Sequence, residues 1–327
     1  MKKIAVFDTK PYDIEFFDKY KNEYDFEIDY FESKLRYESV ALTKGYDAVI
    51  AFVNDNINSK TIDKLIENGI DVIGMRCAGF NNIDVKHAKN KISIYRVPAY
   101  SPNAVAEHAM SLLMCLNRKI HKAHNRVRDF NFSLNGLVGF DLKGKTMGVV
   151  GTGKIGREFI KICNGFGMEV ISYDPYPIDD ENIEYVDLDY LFENSDIIAL
   201  HCPLTRNNYH MINKKSMEMM KDGVIIINTS RGALIDTEDL LEAIKKEKVG
   251  GAALDVYEEE ADFFFEDVSN VTIHDDVLKL LLSTTNVLVT SHQAFLTKEA
   301  LDSIAHTTLQ NLKDFFDDKE NDNKLVL

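Results

Sequence analysis

The chain has 327 residues, enough for about two domains, and its 45% apolar and 28% charged content is that of a water-soluble globular protein. Its 38 basic residues against 53 acidic ones give a net charge of −15. Phosphate backbones and anionic membranes repel such a surface, so composition argues against nucleic-acid and membrane partners.

Met1-Lys2-Lys3 gives way to Ile4-Ala5-Val6-Phe7 and at once to Asp8. That run is too short for the core of a signal peptide and reads as a first strand, and no stretch approaches the ~18 apolar residues of a membrane helix. Strand candidates Lys3–Phe7, Asp47–Val53 and Asp71–Met75 follow one another with helical patterns between them. Within Ser59–Asn68, Ile62, Leu65 and Ile66 keep the helical period, with Ser59 as the expected cap. The first hundred residues thus predict a small doubly wound domain. The stretch Arg96-Val97-Pro98-Ala99-Tyr100-Ser101-Pro102 breaks the rhythm and marks a domain boundary near Tyr100. Pro102 suits the first turn of a helix capped by Ser101. Asn103–Cys115 is apolar nearly all round, which predicts burial, and its continuation Asn117–Arg128 is basic.

From Thr146 the alternation restarts, with strand candidates Thr146–Val150, Glu169–Tyr173, Asp196–Cys202, Val224–Asn228, Gly250–Asp255 and Asn286–Ser291. Six strands with helical spacers predict a dinucleotide-binding parallel sheet. Glu258–Ser283 is long for a connection and reads as an inserted, lid-like loop. Lys298–Phe316 predicts a helix that leaves the second domain and packs back on the first, and the acidic tail Asp317–Asn323 is expected to fray. The four cysteines, Cys77, Cys115, Cys163 and Cys202, are far apart and form no CxxC pair. That predicts a reduced, cytoplasmic chain with neither a disulfide framework nor a zinc knuckle. The fold class is α/β, with two doubly wound parallel-sheet domains.

Gly151-Thr152-Gly153-Lys154-Ile155-Gly156 follows one strand candidate and opens a helix. Gly151 permits the tight turn, Gly153 lets a pyrophosphate approach the backbone, and Gly156 lets helix and sheet pack closely. The helix N-terminus offers free N–H groups to the diphosphate. Asp174 ends the next strand, eighteen positions past Gly156. There a carboxylate accepts from ribose hydroxyls and repels a 2′-phosphate, which favours NAD over NADP.

Three later strand ends carry chemistry. Arg231 follows Val224–Asn228, the run Glu258-Glu259-Glu260 follows Gly250–Asp255, and His292 follows Asn286–Ser291. Ligands of open α/β sheets bind at that edge. A guanidinium grips a carboxylate with two parallel N–H bonds, which Lys cannot do. An imidazole supplies the proton that hydride transfer to a carbonyl requires, and a neighbouring carboxylate fixes its tautomer. Spacing alone leaves the choice among Glu258, Glu259 and Glu260 open.

Other features carry less. His121 and His124 lack a third ligand, so no metal is expected. The basic run Arg118, Lys119, Lys122, Arg126 and Arg128 reads as a helix face paired with acids at a subunit contact. Phe263-Phe264-Phe265 is expected to pack the insertion against its own domain or a partner subunit, and Cys202 reads as a packing residue.

Over nearly its full length the chain resembles the D-isomer-specific 2-hydroxyacid dehydrogenases, most closely their fermentative D-lactate dehydrogenase branch. The resemblance rests on Met75–Asn82, Val97–Pro102, Gly151–Gly156, Leu200–Thr205, Asn228–Asp236, Ala253–Glu258 and Ser291–Thr297. It implies an Arg231–Glu260–His292 catalytic set, which selects Glu260 from the acidic run. It implies substrate contacts at Ala78, Gly79, Tyr100, Arg231 and Phe295. It implies NAD contacts at Gly151, Gly153, Lys154, Ile155, Gly156, Asp174, Cys202, Pro203, Asn208, Thr229, Ser230 and Asp255. Lys154 stands where many relatives carry His. The implied architecture is a central Rossmann NAD domain, residues 101–298, and a discontinuous flavodoxin-like substrate domain, residues 1–100 and 299–327. The implied reaction is reduction of pyruvate to D-lactate in a homodimer or homotetramer. The rivals are the same chemistry on a bulkier 2-oxo acid such as 2-oxoisocaproate, and a non-catalytic NAD sensor.

Overall fold

The computed structural model describes residues 1–260 and 263–325. The chain forms two compact units, Met1–Ser101 with Leu296–Leu327, and Pro102–Phe295.

The first unit contains β1 (Lys2–Val6), α1 (Pro11–Tyr20), β2 (Phe26–Tyr30), β3 (Ala48–Ala51), α2 (Ser59–Glu67), β4 (Val72–Met75), α3 (Val85–Ala88) and β5 (Ser93–Tyr95). Its parallel sheet runs β2-β1-β3-β4-β5, the flavodoxin-like order. The second unit opens with α4 (Pro102–Arg118) and α5 (Ile120–Arg128). It continues through β6 (Thr146–Val150), α6 (Lys154–Gly165), β7 (Glu169–Tyr173), α7 (Leu188–Asn194), β8 (Ile197–Leu200) and α8 (Lys214–Met219). It ends with β9 (Val224–Asn228), α9 (Thr237–Lys245), β10 (Val249–Leu254), α10 (Asp276–Ser283) and β11 (Val287–Val289), and the chain then returns to the first unit as α11 (Lys298–Phe316). The second sheet is parallel in the order β11-β10-β9-β8-β6-β7. Tyr185 makes one further parallel bridge to Ser172 of β7. Counted with that bridge, the order is the doubly wound 3-2-1-4-5-6 plus one strand, a Rossmann arrangement.

Burial on both faces explains why these strands are apolar throughout. Along β8, Ile197 and Ala199 join Leu113 of α4 and Phe159 of α6. Ile198 and Leu200 point the other way, toward Leu191, Met217, Leu240 and Leu281 of α7 to α10. In the first unit, Leu309 and Leu312 of α11 pack with Phe17 of α1 on Ile4, Ile50 and Val72.

Several expectations need correction. The edge strands β2 and β5 are additional to the sequence reading. Asn58, not Ser59, caps α2, its side chain accepting from the Thr61 N–H at 3.1 Å. The segment read as an inserted loop contains a helix, α10. The tail does not fray: the Asn323 carbonyl accepts from the Arg96 N–H at 3.1 Å, and the Leu325 N–H donates to Ile94 at 2.8 Å, so it lies along β5. Within the chain, three residues of the basic run of α4–α5 donate to carbonyls. Lys119 donates to Gly136 and Val138, Arg126 to Asn135, and Lys122 to Thr285.

Leu312 is fully buried, so Leu312→Ala should cost about 2–5 kcal/mol through lost contact and cavity. Urea unfolding checks this, and a loss below about 1 kcal/mol would contradict the packing assigned to α11.

Candidate active site

Parallel pairing puts the strand ends of the second unit on one level. Tyr173, Val150, Leu200, Asn228, Leu254 and Val289 are register partners across the six strands. Several of the site residues singled out in this unit lie within three positions past that row. Gly151, Asp174, Thr229 and Asp255 are one position beyond it, Cys202 and Ser230 two, and Arg231 and His292 three.

At β6 the chain makes the turn a dinucleotide needs. Gly151 has φ +99°, and a Cβ there would lie 2.7 Å from the His201 carbonyl. A Cβ on Gly156 would meet the Gly151 carbonyl oxygen at 2.0 Å, so both side chains are excluded by geometry. Gly153, by contrast, faces open space, with no atom within 4 Å of a built Cβ. It caps α6 without a side-chain bond, so the N–H groups at Lys154 and Ile155 open toward a ligand. Asp174 is pinned, its Oδ2 accepting from the Thr152 N–H at 2.8 Å and its Oδ1 from the Tyr176 N–H at 2.9 Å. Asn208 staples the loop after β8, donating to the Pro203 carbonyl at 2.8 Å and accepting from the Thr205 N–H at 2.6 Å. Ser230 donates to the Leu200 carbonyl at 2.8 Å. The Thr229 hydroxyl is buried and has no hydrogen-bond partner among the described residues. A glycine cradle, an uncapped helix start, a fixed carboxylate and an orphaned hydroxyl on one edge fit a bound NAD. Cys202 packs beside this edge, and burial pushes its thiol up to about 11, so it is a packing residue.

The other end of the edge holds the chemistry-bearing set. His292 Nδ1 lies 2.9 Å from Glu260 Oε1, each side chain about one-fifth exposed (20% and 22%), so water screens the pair incompletely. Glu260 Oε2 accepts from the Tyr257 N–H at 3.1 Å. A carboxylate only accepts, so Nδ1 carries the proton and Nε2 is left for chemistry. His292 has left-handed backbone, φ +53°. Asp255 holds it there. Its carboxylate, fully buried, accepts from Thr290 Oγ1 at 2.5 Å and from the N–H groups of Gln293 and Ala294 at 2.9 and 2.8 Å, and its carbonyl accepts from the His292 N–H at 2.7 Å. His108 of α4 lies 3.2 Å from the same carboxylate. Burial pushes the Asp255 carboxyl up, but the bonds from His108 and Thr290 outweigh it and hold the group below the usual carboxylate range.

Arg231 is half-buried, and the hydrogen bond its guanidinium makes is from Nη1 to the Ser230 carbonyl at 2.6 Å. Its other donors have no partner among the described residues. The next residue, Gly232, abuts the loop that leads to Glu260: a Cβ there would lie 2.1 Å from the Tyr257 carbonyl carbon. The insertion contributes Phe264 to the core and sets Phe265 against His292, ring centroids 5.9 Å apart. Phe295 is buried in the same unit. In the first unit, Ala78 and Gly79 follow β4, and their N–H groups have no partner among the described residues. Their carbonyls accept from Arg96 at 3.0 Å and from the Cys77 thiol at 3.2 Å. Tyr100 is half-buried.

Two residues escaped the sequence reading. His108 was signalled only as an ionisable residue on a helix otherwise expected to be buried. His201, under the glycine turn, has both ring nitrogens buried without partners, its ring 4.7 Å from Phe159.

Residues 110–294 match the family model described as D-isomer specific 2-hydroxyacid dehydrogenase, NAD binding domain. The chain is 49% identical to D-lactate dehydrogenase of Escherichia coli K12 over 328 residues, 99% of this chain and 100% of the relative. It is similar to the solved Salmonella D-lactate dehydrogenase (TM-score 0.87, 50% identity, 99% of each chain). It is also similar to a solved D-2-hydroxyisocaproate dehydrogenase (TM-score 0.88, 32% identity, 99% of this chain and 100% of that one).

Burial pulls the His201 imidazole down to about 4. The unfolded chain takes up that proton near pH 6.5 and the folded chain does not, so stability is full above pH 6.5 and falls as pH drops toward 4. The total is about 3 kcal/mol. His201→Leu should flatten this slope in urea unfolding at pH 7 and pH 4.5; an unchanged slope would contradict it.

Proposed function

The chain belongs to the D-isomer specific 2-hydroxyacid dehydrogenases, NAD-dependent oxidoreductases acting on a CH–OH group, and we propose that it reduces pyruvate to D-lactate with His292 as the proton donor. The observation that carries this reading is the Glu260 hydrogen bond to His292, which lies three residues past the same row of strand ends as Arg231, a guanidinium with donors to spare.

The glycine turn, the start of α6, Asp174, Thr229, Ser230, Asp255 and the loop holding Cys202, Pro203 and Asn208 are the groups assigned to NAD. When bound, NADH supplies the hydride that reaches C2 of the acid. Arg231 grips the substrate carboxylate with parallel N–H bonds, which fixes the carbonyl in place. His292 gives the Nε2 proton to the oxygen of C2 as charge builds there, and Glu260 stabilises the imidazolium before the transfer and holds the tautomer after it. In oxidation, neutral Nε2 takes the hydroxyl proton back. The N–H groups of Ala78 and Gly79 and the Tyr100 and Phe295 side chains complete the substrate assignment. The likeness to a D-2-hydroxyisocaproate dehydrogenase keeps a bulkier acid as the competing substrate.

We also propose a cytoplasmic location, because the four cysteines are far apart in the sequence and form no CxxC pair. No described helix is long and apolar enough to cross a membrane. Assembly as a homodimer or homotetramer is supported by Phe130, Phe132, Leu134 and Val138, four large apolar residues exposed in one short stretch of the second unit.

His292→Gln should lower kcat with pyruvate by about a thousandfold while the Kd for NADH stays within a few-fold. Turnover within tenfold of wild type would contradict the role of His292. If kcat/KM across pyruvate, phenylpyruvate and 2-oxoisocaproate is not highest for pyruvate, the substrate is not the one proposed. Arg231→Lys should raise KM for pyruvate about 10–100-fold by losing the planar fork. An unchanged KM would remove Arg231 from carboxylate binding.

A further inference from the structure

Of the three glutamates after β10, Glu260 is the one hydrogen-bonded to the His292 ring. Glu258 turns to a second imidazole. His210 lies in the loop after β8, also with left-handed backbone, φ +51°. Its ring stacks on Tyr209, centroids 3.9 Å apart at 20°. Nε2 lies 2.5 Å from Glu258 Oε1, and Nδ1 lies 3.3 Å from Asp236 Oδ2. The Tyr209 hydroxyl donates to the same Glu258 oxygen at 3.2 Å and the Thr237 hydroxyl to the other at 3.3 Å. Asp236 is at the same time the N-cap of α9, accepting from the Asp239 N–H at 3.1 Å.

One imidazole therefore joins the loops after β8, β9 and β10. His210 and Glu258 are partly shielded from water, 24% and 19% exposed, so the charge on Glu258 is felt by its neighbours. A left-handed, non-glycine residue persists only where its surroundings impose it, and strain of that kind gathers at functional sites.

From this cluster we infer that His210 is a positioning residue for the reaction proposed above, on which the inference rests. By pairing with Glu258, it offsets a charge that stands two residues from Glu260, the carboxylate hydrogen-bonded to the His292 ring. Without the imidazole, Glu258 keeps its charge two residues from Glu260 and repels it in a medium that screens poorly. The Glu258 backbone N would lie 2.3 Å from a Cβ on Gly232, so its main chain is wedged beside the Arg231 loop.

The charge argument makes the two partners unequal, which a purely structural pair would not be. Three variants test it: His210→Gln, Glu258→Gln and the double, with NADH fluorescence titration confirming a folded binding unit. His210→Gln should lower kcat about tenfold with the Kd for NADH within threefold, and Glu258→Gln should cost about threefold. The double variant should be no slower than Glu258→Gln, because the orphaned charge is gone. A double variant as slow as His210→Gln, or a His210→Gln enzyme within twofold of wild type, overturns the inference. If His210→Gln alone fails to fold, a folded double with the kcat of Glu258→Gln supports it, and an unfolded double overturns it. The ratios are read with whichever 2-oxo acid the wild type reduces, so failure of the pyruvate reading is seen separately.

Discussion

A hydrogen bond from His292 Nδ1 to Glu260 fixes what the second unit can do, and much of the neighbouring structure maintains it. It forms between residues that leave adjacent strands, β10 and β11, whose ends are level at Leu254 and Val289. Keeping the ring there puts His292 in left-handed backbone, a conformation that costs a non-glycine residue about 1–2 kcal/mol. Asp255 offsets that cost by collecting hydrogen bonds from Thr290, Gln293 and Ala294, while the Tyr257 N–H holds the far oxygen of Glu260. The imidazole is thereby anchored at one nitrogen and available at the other.

Parallel strands give this arrangement its economy. Strands that all run one way end on one edge, so a residue one to three positions past any strand reaches the same crevice. The glycine cradle, Asp174 and the Asn208 loop follow β6, β7 and β8, Thr229 and Ser230 follow β9, and the guanidinium and the His–Glu pair follow β9 to β11. Helices on both faces make the sheet a packed core that holds the roots of these loops. His108 extends that core to the chemistry: from α4 it reaches the buried carboxylate that organises the His292 loop.

Most of this edge was legible in the sequence, because a strand buried on both faces is a continuous apolar run and the residues that follow it are easy to find. The glycine pattern carried its own context. The parts that escaped did so for physical reasons. The edge strand β2 alternates Phe26 and Ile28 with Glu27 and Asp29, and β5 is only Ser93–Tyr95, so neither gives a buried-strand signal. Asn58 and Ser59 are both good caps, and only geometry decides between them. The tail is acidic like a solvated end, yet its backbone pairs with β5 through Ile94 and Arg96. The acidic run could not be resolved by spacing, since the partners of Glu258 and Glu260 lie 48 and 32 residues away.

The account turns on which nitrogen of His292 holds the proton when the ring is neutral. Long-range proton–nitrogen correlation spectra of histidine-labelled enzyme above pH 8, with the His292 signal assigned by its loss in His292→Gln, read this directly. The Nδ1–H tautomer, with a downfield proton that disappears in Glu260→Ala, is the predicted result. A neutral ring protonated at Nε2 would mean that Glu260 does not hold the imidazole for proton transfer, and the proposed mechanism would be wrong.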